Sequence, residues 1–195
     1  MQIGILALQG AFLEHEQMLD RLNVSHHQIR RLDDLSRPMD GLILPGGEST
    51  AVGKLLSDLG LIHPIQDLIR SGLPVFGTCA GLILLARQTL STGYPSIGTM
   101  DIIVKRNAYG RQLGSFFTEG DIESIGIFPM VFIRAPYIES VGEGVQILSR
   151  VDGHIVMARS GNQLVTAFHP ELTNDMRVHQ FFIDMCINKQ KTASK

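Results

Sequence analysis

Cysteine is scarce in this sequence, which contains only Cys79 and Cys186 among its 195 residues. Two cysteines cannot form a disulfide framework or a four-cysteine zinc site. Long apolar runs are missing as well, and none reaches the roughly eighteen residues that a membrane helix needs. An excess of positive charge is also absent, because 17 Lys and Arg residues stand against 19 Asp and Glu residues. We therefore expect neither a membrane segment nor a nucleic-acid partner.

The composition favours a single folded domain. Hydrophobic residues make up 44% of the chain and charged residues 18%, which excludes a disordered chain, and the length allows a substantial core. The apolar start, Met1 to Leu8, is too short for a secretory signal and is predicted to form a buried strand. We expect one domain over residues 1–188 and a polar C-terminal tail over 189–195. The expected location is the cytoplasm, where thiols stay reduced.

Short apolar runs alternate with amphipathic segments in the first half of the chain. The predicted strands cover residues 3–8, 24–30, 41–44 and 74–77, and the predicted helices cover 11–22, 51–59, 62–69 and 82–87. Further strand-like runs follow at 102–104, 130–133, 145–148, 154–158 and 164–168, before a closing helix over 176–186. Alternation of this kind predicts an α/β fold, a single three-layer domain with a mostly parallel central sheet.

In a parallel sheet, ligands bind beyond the carboxyl ends of the strands, so the loops after Leu8, Leu44 and Gly77 are expected to converge. The last of them, Gly77-Thr78-Cys79-Ala80-Gly81, has the glycine-x-nucleophile-x-glycine pattern of a sharp strand-to-helix turn. The helix N-terminus favours the reactive thiolate of Cys79, and the N–H of Ala80 can stabilise an oxyanion. Most free cysteines are buried structural residues, but the two flanking glycines favour a catalytic nucleophile.

A cysteine nucleophile needs a general base, and the base needs an acceptor that orients it. His169 directly follows the last predicted strand, and Glu171 lies two residues later. Because Pro170 favours extended backbone at His169, Glu171 can accept from one imidazole nitrogen while the other faces Cys79. A structural role is expected for the remaining histidines, His15, His26, His27, His63, His154 and His179. No Cys or carboxylate cluster accompanies them, so we expect no metal and no cofactor.

The loop Pro45-Gly46-Gly47-Glu48-Ser49-Thr50 follows another predicted strand. Gly46 and Gly47 allow backbone N–H groups to be exposed, as an oxyanion hole requires. A phosphate-binding loop is excluded, because the glycine spacing does not match and a leucine stands where Ser or Thr would bind magnesium. A plain turn with Ser49 or Thr50 as the helix N-cap is compatible with the oxyanion interpretation.

Three motifs occur in the order typical of triad-type (class I) glutamine amidotransferases: Pro45-Gly46-Gly47-Glu48-Ser49, Gly77-Thr78-Cys79-Ala80-Gly81 and Phe168-His169-Pro170-Glu171. Three further segments resemble the glutaminase subunits of pyridoxal 5′-phosphate synthase, the PdxT family: Leu8-Gln9-Gly10-Ala11, Arg106-Asn107-Ala108-Tyr109-Gly110-Arg111-Gln112 and Phe132-Ile133-Arg134-Ala135-Pro136. The resemblance extends from Ile3 to about Phe182, with departures at Ala108-Tyr109, where Ser-Phe is usual, and at Ala51-Val52. It implies a class I glutamine amidotransferase-like, flavodoxin-like fold.

The resemblance implies hydrolysis of L-glutamine to glutamate and ammonia through a γ-glutamyl thioester. Cys79 would be the nucleophile, His169 the base and Glu171 the group that orients it. Gly46, Gly47 and Ala80 would form the oxyanion hole. Substrate contacts are implied for Gly47, Glu48, Ser49, Arg106, Arg134 and Ala135. A guanidinium suits the α-carboxylate of glutamine, although Arg106 without the resemblance would be interpreted as a solvated surface charge.

The resemblance also implies a partner, because ammonia released into neutral water is mostly protonated and no longer nucleophilic. The PdxS-type synthase, which has a (β/α)8 barrel fold, would receive the ammonia through a protected path to make pyridoxal phosphate. Docking of this partner would complete the oxyanion hole at Gly46 and Gly47, with Gln9 and Gly10 near the contact. Glycine tolerates the positive φ that a peptide flip there would need.

Two alternatives remain open at this point. The first is the glutaminase subunit of another amidotransferase such as imidazole glycerol phosphate synthase, against which the Thr78–Gly81 and Ile133–Pro136 segments argue. The second is a non-catalytic or chaperone-like member of the same fold that uses Cys79 as a redox sensor. Such a protein would not need a His-Pro-Glu motif after a late strand.

Overall fold

The computed structural model describes residues 1–90, 95–106 and 114–193. The strands, numbered along the chain, are β1 (Gln2–Leu6), β2 (Ser25–Ile29), β3 (Gly41–Leu44), β4 (Val75–Thr78), β5 (Ala86–Thr89), β6 (Met100–Lys105), β7 (Ser115–Ile122), β8 (Gly126–Ile133), β9 (Tyr137–Val141), β10 (Gln146–Val151), β11 (His154–Ser160) and β12 (Gln163–Thr166). The α-helices are α1 (Phe12–Arg21), α2 (Ser49–Asp58), α3 (Ile62–Arg70), α4 (Ala80–Leu85) and α5 (Arg177–Ala193). Two short 3-10 helices cover Leu32–Ser36 and Pro170–Leu172.

The main sheet runs in the order β2-β1-β3-β4-β12-β11-β9-β6-β5, and β10 pairs with β11. Neighbours from β2 to β12 are parallel, whereas β11 is antiparallel to β12, β9 and β10. β7 and β8 form a separate antiparallel pair. The parallel half needs helical crossovers between its strands, and α1 to α4 follow β1, β3 and β4.

The helices cover both faces of the sheet. Phe76 and its neighbour Gly77 point to opposite faces because side chains alternate along a strand. The Phe76 ring packs on Phe182 of α5, with 5.5 Å between ring centroids. On the other face a Cβ at Gly77 would lie 2.7 Å from the carbonyl carbon of Gly81 in α4. The fold is therefore three-layered, and the central strands β3, β4 and β12 are buried throughout.

The predicted α/β domain with a mostly parallel sheet is confirmed. The prediction for the end of α4 was wrong. The helix predicted over 82–87 ends at Leu85, and Ala86 already begins β5. Ala86 pairs with Met100 and Thr89 with Val104 of β6, a contact between segments distant in sequence. Strands β7 and β9 were also not predicted, because their alternation is interrupted by polar residues and glycine.

The C-terminal helix is longer than predicted. α5 continues to Ala193, so the boundary expected at residue 188 falls inside a helix, and the division into domain and tail remains a prediction. Residues 107–112, which carry most of one family-like segment, and the last two of the tail lie outside the described residues. Among the described helices, none has the length and apolar character required to cross a bilayer.

Candidate active site

Cys79 stands at a sharp turn between β4 and α4. Its backbone has φ 46° and ψ −93°, a left-handed conformation that is strained for a residue with a side chain. The turn is held by a hydrogen bond from the Cys79 N–H to the Thr166 carbonyl, 2.8 Å. A Cβ at Gly81 would lie 2.0 Å from the Leu44 carbonyl oxygen, so only glycine fits there. The predicted sharp strand-to-helix turn at Cys79 is present.

His169 reaches the same edge of the sheet from the neighbouring strand. β12 is parallel to β4, with Thr166 opposite Thr78, so the segments that follow them run out side by side. The His169 N–H donates to the Val131 carbonyl, 2.8 Å, and Pro170 then begins a 3-10 turn. The imidazole is 6% exposed and faces the cavity that contains Cys79.

Glu171 fixes the tautomer of His169. The distance between His169 Nδ1 and Glu171 Oε1 is 2.7 Å, and an ionised carboxylate can only accept, so Nδ1 carries the proton and Nε2 is left for Cys79. Burial lowers the pKa of His169, but hydrogen bonds to Cys79 and Glu171 outweigh burial and raise it to about 10. The arrangement favours the protonated, imidazolium form of His169 beside Cys79.

Two further histidines are buried behind this triad. His15 Nε2 lies 3.2 Å from Thr78 Oγ1 and 3.6 Å from Glu171 Oε2. His15 Nδ1 lies 2.9 Å from His179 Nε2, and both imidazoles are 0% exposed. Burial raises the pKa of Glu171, but the nearby His15 and the hydrogen bond from His169 outweigh it and lower the pKa to about 2. The triad carboxylate is therefore ionised in the fold.

A cavity of about 240 Å³ opens above Cys79 and His169. Its walls combine apolar and polar side chains with exposed backbone. The other lining residues are Gln9, Gly47, Glu48, Ser49, Ile83, Arg106, Ile133 and Arg134. The volume suits a small polar molecule, and Cys79 forms part of the cavity wall.

Arg106 is anchored at the mouth of this cavity. Its Nη2 donates to Thr50 Oγ1 at 3.2 Å and lies 3.5 Å from Glu48 Oε1. The Glu48 carboxylate in turn caps α2 by accepting from the N–H groups of Thr50 and Ala51. Burial raises the pKa of Glu48, but these N–H groups outweigh it and hold the pKa below 4.5. The N-cap predicted at Ser49 or Thr50 is therefore Glu48.

Comparison with known proteins decides the family. The model of the SNO glutamine amidotransferase family matches residues 5–188. The chain belongs to the SNO glutamine amidotransferase family. The pyridoxal 5′-phosphate synthase subunit PdxT of Streptococcus pneumoniae (strain ATCC 700669 / Spain 23F-1) is 58% identical over 192 residues, which are 97% of this chain and 100% of that protein.

Solved structures agree with this assignment to the SNO family. One described as a glutamine amidotransferase superposes with a TM-score of 0.91 at 41% identity and covers 94% of this chain and 98% of its own. The structure of PurLQS from Thermotoga maritima has a TM-score of 0.70 at 14% identity and covers 94% of this chain and 97% of its own. The second similarity shows a shared fold alone.

Most of the residues predicted for the site come together in this family member, and a few lie behind the cavity wall. Every predicted residue in the loops after β1, β3 and β4 lies at the carboxyl edge of the sheet. Within the described residues, the cavity lining does not include Gly10, Gly46, Ala80, Ala135 or Glu171. Ala135 is 2% exposed and directly follows Arg134, whose backbone has φ 43°. Metal-binding clusters of three or more His, Cys, Asp or Glu side chains are absent from the described part of the chain.

The glycines of the predicted oxyanion loop are needed for close approach. A Cβ at Gly46 would lie 2.3 Å from His169 Cε1, and a Cβ at Gly47 would lie 2.6 Å from Gln9 Oε1. Neither residue has a positive φ in this state, whereas Gly10 has φ 106°. The Gly46 carbonyl accepts from the Ala11 N–H at 3.0 Å, so the loop after β3 is tied to the loop after β1.

The sequence did not reveal which groups His15 and His179 contact. Both were predicted to be surface or hydrogen-bonded structural residues, and both are buried: His15 contacts Thr78 and approaches Glu171, and His179 contacts His15. A signal was available in α1, where His15 shares a helix face with the buried Met18 and Leu19. A histidine on an apolar helix face needs a polar partner inside the protein. The identity of that partner required the fold.

As the pH is lowered, the free energy of unfolding should begin to fall at a higher pH than it would if only carboxylates titrated. Burial lowers the pKa of His179 from 6.5 to about 3, so the neutral form stabilises the fold fully above pH 6.5, and this contribution is lost as pH falls towards 3. We expect the free energy of unfolding to decrease already between pH 6.5 and 4.5. Urea titrations across this range measure it, and His179→Gln should flatten the profile.

His63 provides the control for this measurement, because it is an exposed histidine on α3. His63→Gln should keep the wild-type slope. A wild-type free energy of unfolding that stays constant between pH 6.5 and 4.5 would contradict the assignment of neutral buried imidazoles.

Proposed function

We propose that this chain is the glutaminase subunit of a pyridoxal 5′-phosphate synthase and hydrolyses L-glutamine to L-glutamate and ammonia. One observation carries the proposal. His169 donates through Nδ1 to Glu171 over 2.7 Å, which leaves Nε2 for Cys79 beside a cavity of about 240 Å³. The 58% identity with a protein named as a subunit of that synthase supports the pathway.

The reaction has two halves around a thioester on Cys79. The sulfur attacks the side-chain amide carbon of glutamine, and the carbonyl oxygen becomes an oxyanion. When the C–N bond breaks, His169 gives its proton to the departing nitrogen, and ammonia leaves. His169 then takes a proton from water, which attacks the thioester carbon, and glutamate is released as the Cys79 sulfur leaves. Glu171 keeps the imidazole oriented and stabilises its charged form in both halves.

The oxyanion is assigned to backbone N–H groups of Gly47 and Ala80. Ala80 is the first residue of α4, where N–H groups have no acceptor within the helix. The Gly46 carbonyl points to the Ala11 N–H, and the N–H of Gly47 on the same trans peptide points to the opposite side. Gly46 packs against the His169 ring, so the loop and the base are positioned together.

The ends of the substrate fit the polar groups around the cavity. Arg106 is assigned to the α-carboxylate of glutamine, because a guanidinium binds a carboxylate through two parallel hydrogen bonds. Glu48, which lies 3.5 Å from Arg106, is assigned to the α-ammonium group. Ser49, Arg134 and Ala135 complete the proposed substrate contacts. Glutamine presents both charged ends, which explains why opposite charges lie so close together here.

A PdxS-type barrel is the proposed partner that receives the ammonia. Gln9 and Gly10 are exposed, and Gln9 Oε1 accepts from the Glu48 N–H at 2.8 Å. A protein that contacts Gln9 is therefore coupled to the oxyanion loop through this hydrogen bond, which supports activation by docking. The cytoplasm is the proposed location of the complex, because the reaction needs a reduced Cys79.

Replacing Gly47 by alanine should impair turnover in the complex. The added Cβ would lie 2.6 Å from Gln9 Oε1 and 3.2 Å from the Gln9 carbonyl oxygen, so the loop or Gln9 must move. We expect partner-stimulated ammonia release to fall by about 10- to 100-fold. The coupled assay with glutamate dehydrogenase measures it. Ser57→Ala, on the exposed side of α2, serves as the control, and an unchanged rate in Gly47→Ala would refute the role of this loop.

Ammonia release from glutamine, with and without a PdxS-type barrel, tests the proposed function. We expect hydrolysis that the barrel stimulates. Stimulation by a cyclase barrel of histidine biosynthesis instead would favour the alternative pathway. Absence of hydrolysis with either barrel, together with reversible oxidation of Cys79, would favour a redox sensor.

A further inference from the structure

A polar chain continues inward from the proposed triad. His169, Glu171, His15 and His179 follow one another through distances of 2.7, 3.6 and 2.9 Å. His15 also contacts Thr78 Oγ1 at 3.2 Å, and Thr78 precedes Cys79 in the chain. His15 thus lies between the carboxylate that orients the base and the strand that carries the nucleophile.

Among these four side chains, two atoms have no hydrogen-bond partner within the described residues: Glu171 Oε2 and His179 Nδ1. Both are buried, and leaving a buried polar group unpaired costs free energy. His15 Nε2 lies 3.6 Å from Glu171 Oε2. This distance is slightly too long for a hydrogen bond, so a small movement of either side chain would form one.

The tautomers follow from this arrangement. If His15 carried its proton on Nδ1, its Nε2 lone pair would face the Glu171 carboxylate, and His179 would be left with a buried, unpaired N–H. With the proton on Nε2, His15 donates towards Glu171 and Thr78, and its Nδ1 accepts from the Nε2–H of His179. Only an acceptor on His179 then stays unpaired, so the second arrangement is favoured.

We propose that His15 is a positioning residue for glutamine hydrolysis. Its Nε2–H, fixed in that tautomer by His179, holds the Glu171 carboxylate and the Thr78 hydroxyl in place relative to each other. The inference rests on the proposed glutaminase function. His15 touches neither substrate nor sulfur; it acts through Glu171, which orients His169, and through Thr78, which precedes Cys79. As a neutral donor it stabilises the Glu171 carboxylate without competing with the positive charge that develops on His169.

A purely structural role makes a different prediction. His15 and His179 both pack edge-on against Phe76, with ring centroids 6.1 and 5.8 Å apart. If this packing were their whole contribution, substitutions at position 15 would change the free energy of unfolding and leave the catalytic step alone. The two roles can therefore be separated by variants that keep or lose one hydrogen-bond donor.

His15→Gln and His15→Asn form the matched pair. Glutamine places an amide N–H2 close to the position of the imidazole Nε2, whereas asparagine is too short to reach Glu171 and Thr78. We expect kcat for glutamine hydrolysis in the complex to fall by about 10- to 100-fold in His15→Asn. His15→Gln should restore most of this loss, and KM for glutamine should change little in either variant. His27→Asn, a buried histidine on β2 at the sheet edge, should keep the wild-type kcat.

Nitrogen NMR of the wild-type protein with labelled histidine provides the second measurement. It requires no variant to fold and no activity, so it stays informative if glutamine is not the substrate. We expect protonated Nε2 and unprotonated Nδ1 for both His15 and His179 in the wild-type protein. An Nδ1–H tautomer of His15, or equal kcat in wild type and a folded His15→Asn, would overturn the positioning role. Loss of hydrolysis already in the wild type would instead count against the proposed function.

Discussion

Cys79→Ser is expected to reduce glutamine hydrolysis by at least about 10³-fold, because the enzyme loses the group that forms the covalent intermediate. A serine hydroxyl ionises far less readily than a thiol, so the imidazolium of His169 has no thiolate to pair with. The substitution removes little volume, and the turn at Cys79 should keep its shape. The measurement is the rate of glutamate formation by the variant in the presence of the barrel partner.

Cys186 supplies the matched control for that variant. It is the second cysteine of the chain, fully buried on α5, and burial together with the nearby Asp40 raises the pKa of its thiol to about 12. A thiol of this kind is inert. Cys186→Ala should therefore keep the rate of hydrolysis within about twofold of wild type, with a moderate loss of stability from the small cavity. A large loss of hydrolysis in Cys186→Ala, with little loss in Cys79→Ser, would contradict the assignment of the nucleophile.

Glu171→Gln should also have a large effect, a loss of about 10³- to 10⁴-fold in kcat. The carboxylate accepts from His169 Nδ1 at 2.7 Å, whereas an amide can present its N–H2 group to that nitrogen instead. The imidazole would then carry its proton on Nε2 and could not accept one from Cys79. The loss should appear in kcat, because Glu171 does not line the substrate cavity.

The same substitution at Glu139 tests whether the effect is specific. Glu139 lies exposed on β9, and Glu139→Gln should change kcat by less than about twofold. Steady-state kinetics over pH 6 to 9 compare the two variants. If Glu171→Gln kept near-wild-type kcat while remaining folded, His169 would not depend on the carboxylate for its orientation.

Sequence alone predicted the half of the fold whose pattern is local. β1, β3 and β4 are short apolar runs buried on both faces, which is the pattern of central parallel strands. The loops after these strands carry chemically distinctive residues, such as Gly46-Gly47 and Cys79. Because parallel strands end at one edge, the convergence of these loops followed from topology.

The other half depends on contacts between segments distant in sequence. The four residues of β5, Ala-Arg-Gln-Thr, have no strand pattern of their own and become a strand by pairing with β6. The preceding helix α4 has only six residues, so its end could not be recognised from helical periodicity. β7 and β8 form a two-stranded sheet in which Pro129 is tolerated because both strands are edges.

Within the site, the sequence indicated most of the polar residues that face the cavity, together with Glu171, but not the contacts of the two histidines behind Glu171. His169 and Glu171 are two residues apart, so their hydrogen bond could be anticipated from the motif. His15 and His179 come from the two ends of the chain and meet each other behind Glu171 because α1 and α5 both pack against Phe76 on the same face of the sheet. Their chemistry depends on burial and neighbours, which no local pattern encodes.

Trapping the covalent intermediate is the most direct test of the proposed chemistry. The complex of this chain with a PdxS-type barrel is mixed with glutamine, quenched in acid and digested, and the peptides are identified by mass spectrometry. A γ-glutamyl group on the peptide that contains Cys79, formed as fast as ammonia appears, is the expected result. Release of ammonia at the wild-type rate with no modified Cys79, or with Cys79→Ser, would contradict a thioester mechanism at this site.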